Sequence, residues 1–218
     1  MIKVNMISKI IMIVIFCSIL SAPLHASAER TENVQPDCYS QAVVDFKFEL
    51  RRLWIDHTWW TRNVIISKLA GLDDKEKALE RLLQNQVDIG NAIKPYYGDE
   101  AGKELTKLLT DHILIAGKII DAAKREDEVE YEKQNTAWFK NADDIASFLS
   151  KANPNWSEEE LQDLLYVHLE LTRDEVVARL KKDWGADIAA FDEGEDHIIK
   201  LADTLSVGII KQFPDQFK

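Results

Sequence analysis

From residue 39 onward, apolar residues recur at the i, i+3, i+4, i+7 spacing of a helix face, and no stretch alternates long enough to make a useful strand. The spacing predicts a first helix from about Tyr39 to Ala70, with Gly71 placed to end it, because glycine adopts the left-handed conformation at little cost. Asp73 with Glu76 predicts the start of a second helix running to about Ile93. Lys94-Pro95 stops it, since proline supplies no amide hydrogen, and Pro95-Tyr96-Tyr97-Gly98 makes the turn. A third helix follows over roughly Asp99 to Ala123, with Leu105, Leu108, Leu109, His112, Ile115, Ala116 and Ile119 along one stripe. The charged stretch Lys124–Lys133 reads as a solvated helix end or connection. A fourth helix carries Trp138, Ala142, Ile145, Phe148 and Leu149 inward and ends at Asn153-Pro154-Asn155.

Ser157 with Glu160 forms a capping box that opens a fifth helix, and Thr172 with Glu175 forms a second box that restarts the chain as a sixth. Gly194 then separates the sixth from a seventh, covering about Glu195 to Phe213 and ended by Pro214. Six or seven helices joined by short connections predict an all-α, up-and-down bundle with antiparallel neighbours.

The beginning of the chain has a different pattern. Lys3 and Lys9 precede or flank an apolar run from Ile10 to Leu20, and Ala26-Ser27-Ala28 supplies small residues after it. That order predicts a secretory signal peptide over residues 1–28, with a single domain over 29–218 and an exported destination in the cell envelope or outside the cell. The alternative is an uncleaved anchor, although the run is short against the roughly 20 residues that a span needs. Cleavage would remove two lysines and no acidic residue, taking the net charge from −11 to −13. So acidic a surface argues against a nucleic-acid partner and against docking on anionic lipid. Cys38 would be the one cysteine left, so stability must come from packing and not from an internal disulfide.

Two halves of the chain repeat their landmarks in order. His57-x-x-x-Thr61-Arg62, Asp88-Ile89-Gly90 and Asp111-His112-Ile113 are matched by His168-x-x-x-Thr172-Arg173, Asp187-Ile188-Ala189 and Asp196-His197-Ile198. The gaps differ, so the pattern is compatible either with an old duplication or with recurrence of short helical words. A duplication would bring equivalent residues together at the bundle centre.

The histidines give this pattern its chemical interest. His57 lies in line with Leu50, Leu53, Trp54, Thr61 and Ile65; His168 with Leu161, Leu164, Leu165 and Thr172; His197 with Leu201, Leu205 and Gly208. With His112, that puts four histidines on inward faces. A bundle core can build a metal site from side chains on facing helices, and neutral imidazole suits zinc, iron, copper or nickel. His57, His112 and His168 are the leading candidate ligands, followed by His197, Asp88 and Asp187. The adjacent Asp-His pairs cannot face one site, because neighbouring helix residues diverge by about 100°. Glu-x-x-His, His-Glu-x-x-His and Cys-x-x-Cys are all missing. The competing reading is a buried His–Asp hydrogen-bond network that fixes helix register without any ligand.

The six tryptophans fit core and edge packing, with a flat apolar pocket as the alternative. Asn85, Asn91 and Asn141 near the ends of apolar stripes can satisfy buried backbone or bind a polar ligand. No serine carries a nucleophile motif and no glycine-rich phosphate cradle follows a strand, so an extracytoplasmic enzyme is the third reading. Leu53–Arg62, Asn85–Gly98, Thr110–Ala116 and Asn153–Arg173 carry phrases of the type HxxWTR, NxxDIxNAIKPYYG, DHxxIA and NPNWSEEE. In these the chain resembles a family of uncharacterised bacterial helical-bundle proteins with inconsistent enzyme-like labels. The resemblance implies a family and no activity. The sequence thus points to an exported bundle that binds a transition metal or small ligand through histidines and aspartates, with oligomeric state left open.

Overall fold

The computed structural model describes residues 39–218. The anticipated signal peptide and Cys38 lie outside them. The described residues form five α-helices and one short 3₁₀ turn, with no strand among them. Helix α1 spans Gln41–Ala70 and starts where the Ser40 hydroxyl accepts a hydrogen bond from the Val43 amide. It ends at Gly71, whose φ of 69° and bonds to the Lys68 and Ser67 carbonyls make the left-handed stop expected there.

Helix α2 runs over Lys75–Lys124, but Gly98, at φ 84° and ψ 170°, breaks it just after Pro95. The chain reverses at that point. Gly90 and Gly102 meet on the two arms so closely that a Cβ on either would lie within 2.6 Å of the other's carbonyl oxygen. The arms therefore pack as an antiparallel pair, as the sequence's second and third helices require.

Helix α3 covers Glu128–Ala152, α4 covers Glu158–Leu180 and α5 covers Trp184–Gln212, followed by the 3₁₀ turn Pro214–Phe217. Asp127, Ser157 and Asp183 each accept a hydrogen bond from the amide three residues on, which satisfies amides left open at a helix start. In order, each helix packs on the next, and α5 closes back on α1. The core inside this ring includes Leu50, Leu53, Ile89, Leu109, Ile145, Leu165 and Leu201.

The anticipated all-helical bundle is present, but several anticipated helix boundaries move: Pro95 lies within the first arm of α2, which continues past Ile93 to the break at Gly98, and α3 already begins at Glu128 within the stretch expected as a connection. Thr172 opens no new helix: its hydroxyl donates to the His168 carbonyl at 2.8 Å, inside an unbroken α4. Gly194 sits inside α5 without breaking it. The boundary between these helices is Lys181–Asp183, where Lys182 takes a positive φ of 60°. Asp73 does not cap α2 either; Asp74 holds that position and its side chain makes no capping bond.

Candidate histidine centre

All four histidines of the described region are buried, with exposures of 2 % at His57, 3 % at His112, 5 % at His168 and 8 % at His197. They sit on α1, α2, α4 and α5. His57 and His168 have ring centroids 5.5 Å apart, and His112 stacks on His168 at 6.1 Å with a 22° interplanar angle. His168 is the hub, the one imidazole whose basicity is lowered by all three others after burial has lowered it most. Burial also holds His57 down to about 3 and His112 to about 4. His57, His112 and His168 are thereby neutral at physiological pH, so their lone pairs are available wherever hydrogen bonds leave them free.

Those bonds divide the cluster in two. The Trp138 indole N–H donates to His112 Nε2 at 3.1 Å, which fixes the lone pair on Nε2 and the proton on Nδ1. Nδ1 then donates to Asn141 Oδ1 at 2.8 Å, and the Asn141 amide nitrogen donates to the Leu108 carbonyl at 3.1 Å. His112 has no coordination position left. His197 donates through Nε2 to the Leu164 carbonyl at 2.7 Å and keeps a lone pair on Nδ1.

His57 and His168 are bound differently. His57 Nδ1 is buried with no hydrogen-bond partner, and no hydrogen bond contributes to the basicity of His168. Trp54 packs against His57 with centroids 5.6 Å apart, and its indole N–H is also unpartnered. The third open group is Gln86. Its amide nitrogen donates to the Leu82 carbonyl at 2.7 Å and to Asn85 Oδ1 at 3.1 Å, which fixes the amide orientation. Its oxygen is left buried and unpaired beside His57, whose protonated form it favours slightly without a hydrogen bond of normal geometry. Buried polar atoms are rarely left unpaired, so an imidazole nitrogen without a partner and two further open groups beside it mark a place where something polar is accommodated.

The aspartates do not join this centre. Asp187 is 2 % exposed, but both carboxylate oxygens are taken: Arg62 donates at 3.0 and 3.2 Å and Arg179 at 2.7 Å. Arg62 also holds Glu175 at 2.7 Å and stacks over Phe191 at 4.7 Å, completing a buried charge network between α1, α4 and α5. Burial pushes the Glu175 carboxyl up to about 7 against the pull of Arg62. Asp88 lies on the outer side of α2, near Gln84 and Arg81. Among the described residues, no three His, Cys, Asp or Glu side chains form a group able to hold a metal ion by themselves.

The tryptophans divide as well. Trp54 and Trp138 serve the histidines, and Trp156 lies under Gly208, where a Cβ would come within 1.9 Å of its indole nitrogen. Trp59 and Trp184 are about half exposed. Sequence reasoning passed over Gln86, although its spacing to Leu82, Ile89 and Ile93 puts it on an inward stripe. Searches against family models, curated proteins and solved structures give no match for this chain.

Proposed function

We propose that this protein binds a transition-metal ion at the bundle centre, with the His57 and His168 imidazoles as ligands and the Gln86 amide oxygen beside them. The observation that carries this reading is the asymmetry of the cluster. Two of four buried histidines are committed to hydrogen bonds, while two facing ones keep free nitrogens next to an unpaired amide oxygen. Two imidazoles and a neutral oxygen suit a borderline ion such as zinc, copper, iron or nickel. His197 Nδ1 is the next donor available, and His112 positions His168 by stacking on it. Asp88 and Asp187 are not in the ligand set. No reaction is assigned.

The motif shared by His57 and His168 supports a duplicated origin for the two halves. Thr61 and Thr172 donate to the carbonyls of these histidines four residues back, at 2.7 and 2.8 Å. Export rests on the leader pattern of residues 1–28. No helix among the described residues is long and apolar enough to cross a membrane.

The test is calorimetric titration of untagged, chelator-stripped protein with zinc, copper(II), cobalt(II) and nickel. We expect one ion per chain, lost in His57→Leu and His168→Leu and kept in Asp88→Asn. Absence of binding by the wild type sinks the proposal. The second reading, a purely structural network, draws on His112 alone, whose two ring bonds need no ligand. It predicts that no metal alters the melting temperature.

A further inference from the structure

We infer that a cation reaches His168 through a crevice between α1, α4 and α5 whose walls mix oxygen lone pairs with the apolar Leu171, Ala190 and Phe191 and which that imidazole also lines; this rests on the metal-binding reading. Thr58 and Thr61 on α1, Thr172 and Glu175 on α4, and Phe191 and Gly194 on α5 form its walls. Each threonine has already spent its hydroxyl proton on its own helix. Thr58 donates to the Ile55 carbonyl at 2.9 Å, Thr61 to His57 at 2.7 Å and Thr172 to His168 at 2.8 Å. A hydroxyl with its proton committed presents only acceptor lone pairs. Glu175 adds a carboxylate with one oxygen on Arg62 and the second not hydrogen-bonded.

The positive charges beside the crevice are occupied. Arg62 spreads its N–H groups over Glu175 and Asp187, and Arg179 donates to Asp187. An anion would find no free donor here. A cation, or a water carried with one, finds acceptors along the walls and an unbonded, 95 %-buried imidazole at the end. The crevice has about 10 Å³ of room for the centre of a water-sized particle, which is enough for one such particle and too little for an organic ligand. His57 and His112 do not line this crevice. His168 is therefore the first imidazole an incoming ion meets, and His57 the second.

The experiment separates rate from affinity. Gly194 has nothing within 4 Å of where a Cβ would stand, so Gly194→Phe is accommodated by α5 and places a ring at the mouth; Gly117→Phe, equally unobstructed on α2, is the control. Stopped-flow uptake of cobalt(II) by stripped full-length protein is followed in the visible band of the bound ion. Association rates within one site's variants span about one to three decades, so Gly194→Phe should slow uptake by about tenfold or more. Release should slow by the same factor, with stoichiometry and Kd unchanged, because a barrier on a route acts equally in both directions. At pH 8, above the value of about 7 to which burial raises the Glu175 carboxyl, Glu175→Gln keeps the shape, removes the charge and should also slow uptake, by less. Wild-type uptake rates in both variants overturn the route and leave the metal site standing. A change of Kd with an unchanged association rate also overturns it. Failure of the wild type to take up any ion overturns the metal-binding reading itself.

Discussion

His112 and His57 lie in one buried cluster, a helix apart, and the protein treats them in opposite ways. His112 is held at both nitrogens by Trp138 and Asn141, whose own amide is anchored on the Leu108 carbonyl. His57 has an unbonded nitrogen, an unbonded indole and an unbonded amide oxygen around it. Burial is nearly the same at the two positions, so desolvation alone does not distinguish them. The difference teaches that an inward histidine becomes a structural member when a neighbouring helix supplies matched donors and acceptors. It stays a candidate ligand when the polar atoms around it are not brought into hydrogen-bonding geometry with it.

Acid should break both sides at once, and with the largest effect. The unfolded chain's histidines titrate near 6.5, whereas burial holds folded His57 at about 3 and His112 at about 4. As pH falls, the unfolded state therefore binds protons first. Stability from this source is intact above about 6.5 and drains away between about 6.5 and about 3. At about 1.4 kcal/mol per unit, His112 alone accounts for roughly 3 kcal/mol. Denaturant melts between pH 7.5 and 4 check this; an unchanged midpoint would mean that the cluster is not neutral and buried.

His112→Leu comes next. It orphans the Trp138 indole and the Asn141 amide oxygen in the core, with an expected loss of about 2–4 kcal/mol whether or not metal is present. The same substitution at His57 removes a group with no hydrogen-bond partner of normal geometry. His57→Leu should therefore change the metal-free stability by less than about 1 kcal/mol in either direction, while abolishing metal binding. Equal losses at the two positions, measured by urea unfolding of the stripped proteins, would erase the distinction. The smallest effect belongs to Asp88→Asn, expected within about 0.5 kcal/mol and without consequence for metal, since its charge partners are at the surface.

Much of this was legible in the chain. Gly71, Gly98 and Asn153-Pro154 stop helices or turn the chain for local reasons, and local reasons can be read locally, although Pro95 itself stays within the helix. The inward placement of all four histidines followed from apolar stripes. The end of α4 was not legible, because Lys182, not a glycine, takes up the left-handed conformation, and Thr172-x-x-Glu175 imitates a helix start. Nor could the sequence say which histidines were bonded. That depends on Trp138 and Asn141 arriving from α3, a matter of inter-helix register that no single stripe encodes. Asp187 points inward as anticipated, yet Arg62, five residues after His57, neutralises it from another helix.

The meeting of Gly90 and Gly102 bears on Gln86 and His112, which stand on the two arms of α2. Each glycine faces the other's carbonyl oxygen there, and the Thr106 and Lys94 side chains close in beside them, so the two arms have little room to slide. A one-residue slip would drive a Cβ into backbone. The spacing between the amide oxygen at Gln86 and the imidazole at His112 is thereby fixed by main chain before any ligand arrives. An ion held by His57, His168 and the Gln86 oxygen finds this wall preorganised, and the entropy of ordering it was lost when the chain folded.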